Sequence, residues 1–136
     1  MDPSVIGQYI RDIKVYRKQV EDYTDDSPGS LRMRLKLLTQ CHELMGRVSA
    51  HMDGEYERAK VLRINTYAEA KRDAERGDKV NAAELAVMEL REDEAAALER
   101  SRLWKNEFKA LTEHLYEIRL AIRMELNILA AGGGGI

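Results

Sequence analysis

Between Leu31 and Ala59 an apolar or small residue returns every seven positions, at Leu31, Leu38, Met45, Met52 and Ala59, with Cys41, Val48 and Leu62 in the neighbouring column. The spacing resumes at Leu90, Ala97, Trp104, Leu111 and Ile118, beside a second column of Val87, Glu94, Ser101, Phe108, Leu115, Ile122 and Leu129. A helix puts residues seven apart on one face, and two adjacent columns form a seam that is buried against another helix. Such a chain is all-α. Apolar residues never alternate over a useful length, the only prolines are Pro3 and Pro28, and strong helix formers dominate residues 55–123.

The helices are delimited by local chemistry. Ile6, Tyr9, Ile13, Tyr16, Val20 and Tyr23 alternate spacings of three and four, predicting a first helix from about Ser4 to Tyr23. "TDDSPGS" ends it: Ser27 is a good N-cap for the second helix, Pro28 suits the first helical turn, and Asp25 and Asp26 suit the positive end of its dipole. The second helix continues through Tyr67, Ala70 and Ala74, weakened locally by Gly46 and Gly54.

The stretch "ERGDKVNAAEL" contains Arg76-Gly77-Asp78, a tripeptide that suggests adhesion in an extracellular loop. A structural account fits better. Gly77 closes a helix, Asn81 is a natural N-cap, Glu84 completes a capping box, and Val80 and Leu85 stand at staple positions. A third helix then runs from about Ala82 to Ala130 and folds back on the second, which brings Met52 near Trp104, Met45 near Leu111, Leu38 near Ile118 and Leu31 near Leu126.

The predicted architecture is three helices in a single domain, a short N-terminal helix packed on the base of a long antiparallel hairpin. The base comprises residues 4–50 and 107–130, the hairpin arm 51–106 and a flexible tail 131–136. Ala59, Ala68, Ala70, Ala74, Ala82 and Ala97 are among the small arm residues that let two helices approach closely. Alanine contacts bury little area, at about 25 cal/mol per Å², so the arm alone is marginal. Ile10, Met33, Leu37, Leu44, Leu103, Leu120 and Ile128 fall off the main columns and form a second stripe. A second stripe calls for a partner, so a homo-oligomer, dimer or tetramer, is expected.

The chain carries a net charge of −2, which argues against a dedicated nucleic-acid-coating protein. The charge is uneven: residues 31–76 hold ten bases against seven acids, and residues 77–136 eight against eleven. Complementary faces on neighbouring helices account for this bias, with a DNA-binding stripe as the sharper alternative. Its residues would be Arg58, Lys60, Arg63, Lys71, Arg72, Arg76 and Lys79, diluted by Glu57, Glu69, Asp73, Glu75 and Asp78.

The usual catalytic patterns are all incomplete. His42-Glu43 opens like a zinc-protease motif, but Gly46 stands where the second histidine belongs. Thr39, Val48 and Leu111 precede the three histidines where a di-metal bundle needs glutamates. Cys41 lies on the apolar column and reads as a small buried hydrophobe rather than a nucleophile. Trp104 and Phe108 read as core rather than as base-stacking platforms. The glycines at 132–135 follow a helix instead of preceding one, so they are no phosphate loop, and the tail reads as a disordered end more than as a hook carrying Ile136. The expectation is no enzyme, cofactor, metal or small-molecule substrate. A lone cysteine, no signal segment and only short apolar runs predict a cytosolic protein without a membrane role.

Residues 55–123 resemble a group of small all-helical coiled-coil proteins of tailed bacteriophages. The likeness is carried by Tyr56, Ala59 and Lys60, by Tyr67, Glu69 and Ala70, by Gly77, and by Trp104 and Lys105. Genes of that group tend to lie near those for single-strand annealing recombinases and single-stranded DNA-binding proteins. The resemblance therefore implies the cytoplasm of a host bacterium and an accessory role in DNA recombination or replication, exerted by docking a partner protein. It carries no catalytic residue. Direct nucleic-acid binding, antagonism of a host defence or replication protein, and assembly scaffolding stand as alternatives.

Overall fold

The computed structural model describes residues 2–74 and 77–134, with backbone alone at 133 and 134. It is all-helical: α1 (Pro3–Val20), α2 (Pro28–Asp73), α3 (Lys79–Ala86) and α4 (Met88–Gly134), with no strand among the described residues. No described helix is long and apolar enough to cross a membrane.

Asp2 caps α1, its Oδ1 accepting from the Ser4 amide at 3.0 Å, with Pro3 in the first turn. The α-helical pattern stops at Val20, short of the expected Tyr23. The amides of Glu21, Asp22 and Tyr23 bond carbonyls three residues back instead, which tightens the last turn. Ser27 caps α2 as its sequence suggests: Oγ accepts from the Ser30 amide at 3.3 Å, and its carbonyl accepts from the Leu31 amide at 3.0 Å.

Among the described residues the helices number four instead of three. Gly77 has φ +137°, so the chain does turn there, but Asp78 rather than Asn81 caps the next helix, its Oδ1 accepting from the Asn81 amide at 2.9 Å. An aspartate is as good a cap as an asparagine, and it stands three residues earlier. Val80 and Leu85 are exposed, so no staple forms, and Glu84 pairs with Arg91 instead of closing a capping box. The backbone leaves helical geometry at Val87 (φ −110°, ψ 6°), whose side chain is fully buried. Apolar spacing continues through Ala83, Val87 and Leu90 without glycine or proline, so the sequence does not announce this break. At the far end α4 continues past the expected stop at Ala130 to Gly134. Each glycine costs about 1 kcal/mol relative to alanine, but extending a formed helix adds a hydrogen bond per residue.

The chain divides into two compact units, Met1–Val48 with Lys105–Ile136, and Ser49–Trp104. In the first, Ile6 and Ile13 of α1 are buried with Leu31, Leu38, Cys41, Met45 and Val48 of α2 and with Leu111, Leu115 and Ile118 of α4. The Cys41 thiol lies 3.7 Å from the Ile13 carbonyl, and Arg47 donates to the Tyr9 hydroxyl at 3.1 Å while lying over its ring. Here α2 and α4 are antiparallel, with His42 opposite Thr112 and Gly46 opposite Phe108. Leu31 is buried, whereas Leu126 is 43% exposed.

The second unit has a thin core of Ala83, Val87, Ala97 and Ser101. Ala59 and Ala70 are half-buried, whereas Ala68, Ala82, Ala95 and Ala96 face solvent. Asp53 opposite Ser101 and Arg63 opposite Glu94 set its antiparallel register.

Candidate interaction surfaces

Of the seven basic candidates, the six that the structure describes are not all offered to solvent. Arg63 turns inward: its Nε binds Glu94 Oε2 and its Nη2 lies 3.4 Å from Oε1. A guanidinium held by two carboxylate oxygens is not offered to a phosphate, so Arg63 leaves the set. Arg58 is exposed beside Glu55 at 3.7 Å, and Arg72 bonds Asp73 at 3.3 Å. Lys60 is half-buried, and Lys71 and Lys79 are exposed. Arg76 lies outside the described residues.

The three histidines serve three separate contacts. His42 Nε2 lies 2.7 Å from Thr112 Oγ1, and that hydroxyl donates to the Phe108 carbonyl at 2.9 Å. With the threonine proton so used, the imidazole N–H is the donor. The ring stacks on Phe108 with centroids 4.3 Å apart. Burial, and then the Arg119 charge, hold the His42 pKa below the ordinary histidine value. Gly46 makes room for this stack, since a β-carbon there would stand 3.1 Å from Phe108 Cε2. His51 pairs with Glu55 and His114 with Glu117. Among the described residues no three His, Cys, Asp or Glu side chains are grouped to hold a metal ion. Cys41 is fully buried, and burial pushes its thiol pKa up, away from nucleophilic character. Trp104 and Phe108 are half-buried on the seam.

Of the expected second stripe, Leu103, Leu120 and Ile128 are exposed, while Ile10, Met33 and Leu44 are half-buried. Leu37 is buried within the first unit, because it adjoins Leu38 and Cys41 on the inward face, and it is removed from the candidate interface. Two exposed apolar surfaces stand out. On α2, Val61 and Leu62 line a shallow groove with Glu57, Arg58 and Asn65. On α4, Tyr116, Leu120, Met124 and Ile128 are 68%, 41%, 57% and 62% exposed, and a shallow groove runs between Tyr116, Arg119, Leu120 and Arg123. Sequence reading missed Tyr116 and Met124. The available signal was the four-residue spacing through Leu120 and Ile128, which traces one ridge of a helix.

Comparison of the chain with protein-family models, with curated proteins and with solved structures gives no match.

Proposed function

We propose that this chain is a non-enzymatic helical interaction protein that docks a partner in phage DNA recombination or replication. The observation that carries the docking role is the α2 groove: Val61 and Leu62 are 52% and 54% exposed on one face of a long helix, bordered by Glu57, Arg58 and Asn65. An apolar pair with a charged rim is the usual make-up of a helix-mediated contact. The recombination setting rests on the resemblance of residues 55–123 alone. Pull-down of a single-strand annealing recombinase and a single-stranded DNA-binding protein tests it, with Val61→Glu/Leu62→Glu as the control. Retention that the double variant abolishes supports the proposal. Failure to retain either protein removes the recombination setting, and retention unaffected by the variant removes the α2 groove.

A second reading, direct nucleic-acid binding, is favoured by Lys71 and Lys79, which are exposed and form no ion pair among the described residues. With Arg63 withdrawn, binding would be weak and would fall steeply with salt as counterions are released. Titration of labelled single-stranded and duplex DNA at low salt decides it. No binding at about micromolar protein, the affinity range of ordinary non-specific contacts, ends this reading.

A further inference from the structure

We propose that the first unit carries a single-stranded nucleic-acid site along one stripe of α4. Lys105, Lys109, Thr112, Tyr116, Arg119 and Arg123 are spaced four, three, four, three and four, so they share one face of the helix over about 27 Å. All six are exposed. None of the three carboxylates in this stretch, Glu107, Glu113 and Glu117, occupies a stripe position. Glu107 pairs with Arg17 at 3.5 Å and Glu117 with His114 at 3.7 Å, while Glu113 borders the stripe one turn before Tyr116. The α2 side chain that meets the stripe at Thr112 is His42, not an acid. Its charge is therefore of one sign. Lys109, Arg119 and Arg123 make no hydrogen bond or ion pair among the described residues. Arg119 and Arg123 also stand four apart, a like-charge spacing that weakens a helix and that a bound polyanion relieves.

Tyr116 selects among polyanions. Its side chain is 68% exposed, and it frames a shallow groove with Arg119, Leu120 and Arg123. Cations that track phosphates, set around an aromatic ring on which a base can stack, are the two elements of a single-strand site. A duplex matches the cations but keeps its bases stacked on one another, out of reach of the ring. A run of acidic side chains matches the cations and brings no flat group to the ring. An unpaired strand uses both. This site belongs to the first unit, whereas Lys71 and Lys79 belong to the second. It rests neither on their reading as a nucleic-acid surface nor on docking at Val61 and Leu62.

Fluorescence anisotropy of labelled oligothymidylate, about 16 nucleotides long, titrated with the full chain at low salt tests this, with the matching duplex and polyglutamate as competitors. The single strand should bind, and should be displaced by neither competitor at equal charge. Tyr116→Ala should weaken binding about tenfold, the loss of one stacked base, and Tyr116→Phe should preserve it. Arg119→Gln/Arg123→Gln should weaken binding and lower the salt slope by about 1.4, at roughly 0.7 for each phosphate contact on a single strand. Helical circular dichroism should be unchanged in these variants, because the replaced side chains are exposed. No binding of the single strand at about micromolar protein overturns the proposal. So does equal binding by Tyr116→Ala, or displacement by polyglutamate or by duplex at equal charge. Binding that is lost in Lys71→Gln/Lys79→Gln and kept in Arg119→Gln/Arg123→Gln overturns the α4 site and supports the reading of the second unit. The opposite pattern supports the α4 site and removes that reading.

Discussion

Gly46 and Gly54 sit in the same helix, and replacing each with alanine should have opposite effects on stability. Alanine is favoured over glycine in a helix interior by about 0.8–1.0 kcal/mol at either position. At Gly54 the new methyl meets only the Arg58 guanidinium, 3.3 Å away, the exposed tip of a flexible side chain that can swing aside. Gly54→Ala should therefore stabilise by about 1 kcal/mol. At Gly46 the methyl meets Phe108 Cε2 at 3.1 Å, and that ring is held against His42, which is itself bonded to Thr112. Shifting the ring sacrifices part of a stack worth about 0.5–1.5 kcal/mol and adds overpacking strain of about 1–3 kcal/mol. About 2 kcal/mol of loss set against about 1 kcal/mol of gain leaves Gly46→Ala destabilising by about 1 kcal/mol. For a chain of 136 residues the two variants should then melt about 8 °C apart, at roughly 4 °C per kcal/mol. Thermal melts followed by circular dichroism measure this, and Phe108→Ala supplies the cycle: in that background Gly46→Ala should become stabilising. If Gly46→Ala raises the melting temperature as much as Gly54→Ala does in the wild type, the aromatic stack is not what requires glycine.

Removing the cation from the Arg63–Glu94 pair, whose side chains are 27% and 15% exposed, should cost about 1–3 kcal/mol by leaving a mostly buried carboxylate without its partner. Replacing both with Met should recover most of that loss in denaturant titrations, because two apolar side chains need no counter-charge. The folded-state pKa of His42 is depressed, so the unfolded chain takes up the proton first and stability falls as pH drops below the ordinary value of 6.5. His42→Gln should flatten that part of the pH profile in thermal melts. Asp25 is also depressed, by hydrogen bonds from Ser27 and Ser30, so its contribution is present above 3.8 and is lost on further acidification. Asp25→Asn should remove that second, lower slope. Cys41 should react with an aromatic disulfide reagent only as fast as the first unit opens, and completely once denatured, because the native thiol is buried.

What was legible in the sequence was the part governed by periodicity, and the misplacements share a geometric cause. Leu31, Leu38, Met45, Cys41 and Val48 are buried as their columns require, as are Val87, Ala97, Leu111, Leu115 and Ile118. Seven residues fall about 20° short of two full turns of a straight helix, so a heptad column extrapolated far along α2 rotates off the seam. Two heptads beyond Val48 this drift is about 40°, which brings Leu62 to the margin of the seam; Leu62 is 54% exposed, and the next residue, Arg63, pairs with Glu94. An apolar side chain is thus left outside, where it lines the α2 groove, and an arginine is withdrawn from the basic surface. The polar character of Glu94 and Ser101 was visible in their column, but not their partners, because pairing depends on which residue of α2 arrives opposite and not on the spacing within α4. At the end of α4 the off-seam Leu120 and Ile128 were legible as exposed residues, whereas Leu129 keeps the seam spacing and is nonetheless 59% exposed, because spacing gives a residue its face and burial is a property of the packed unit.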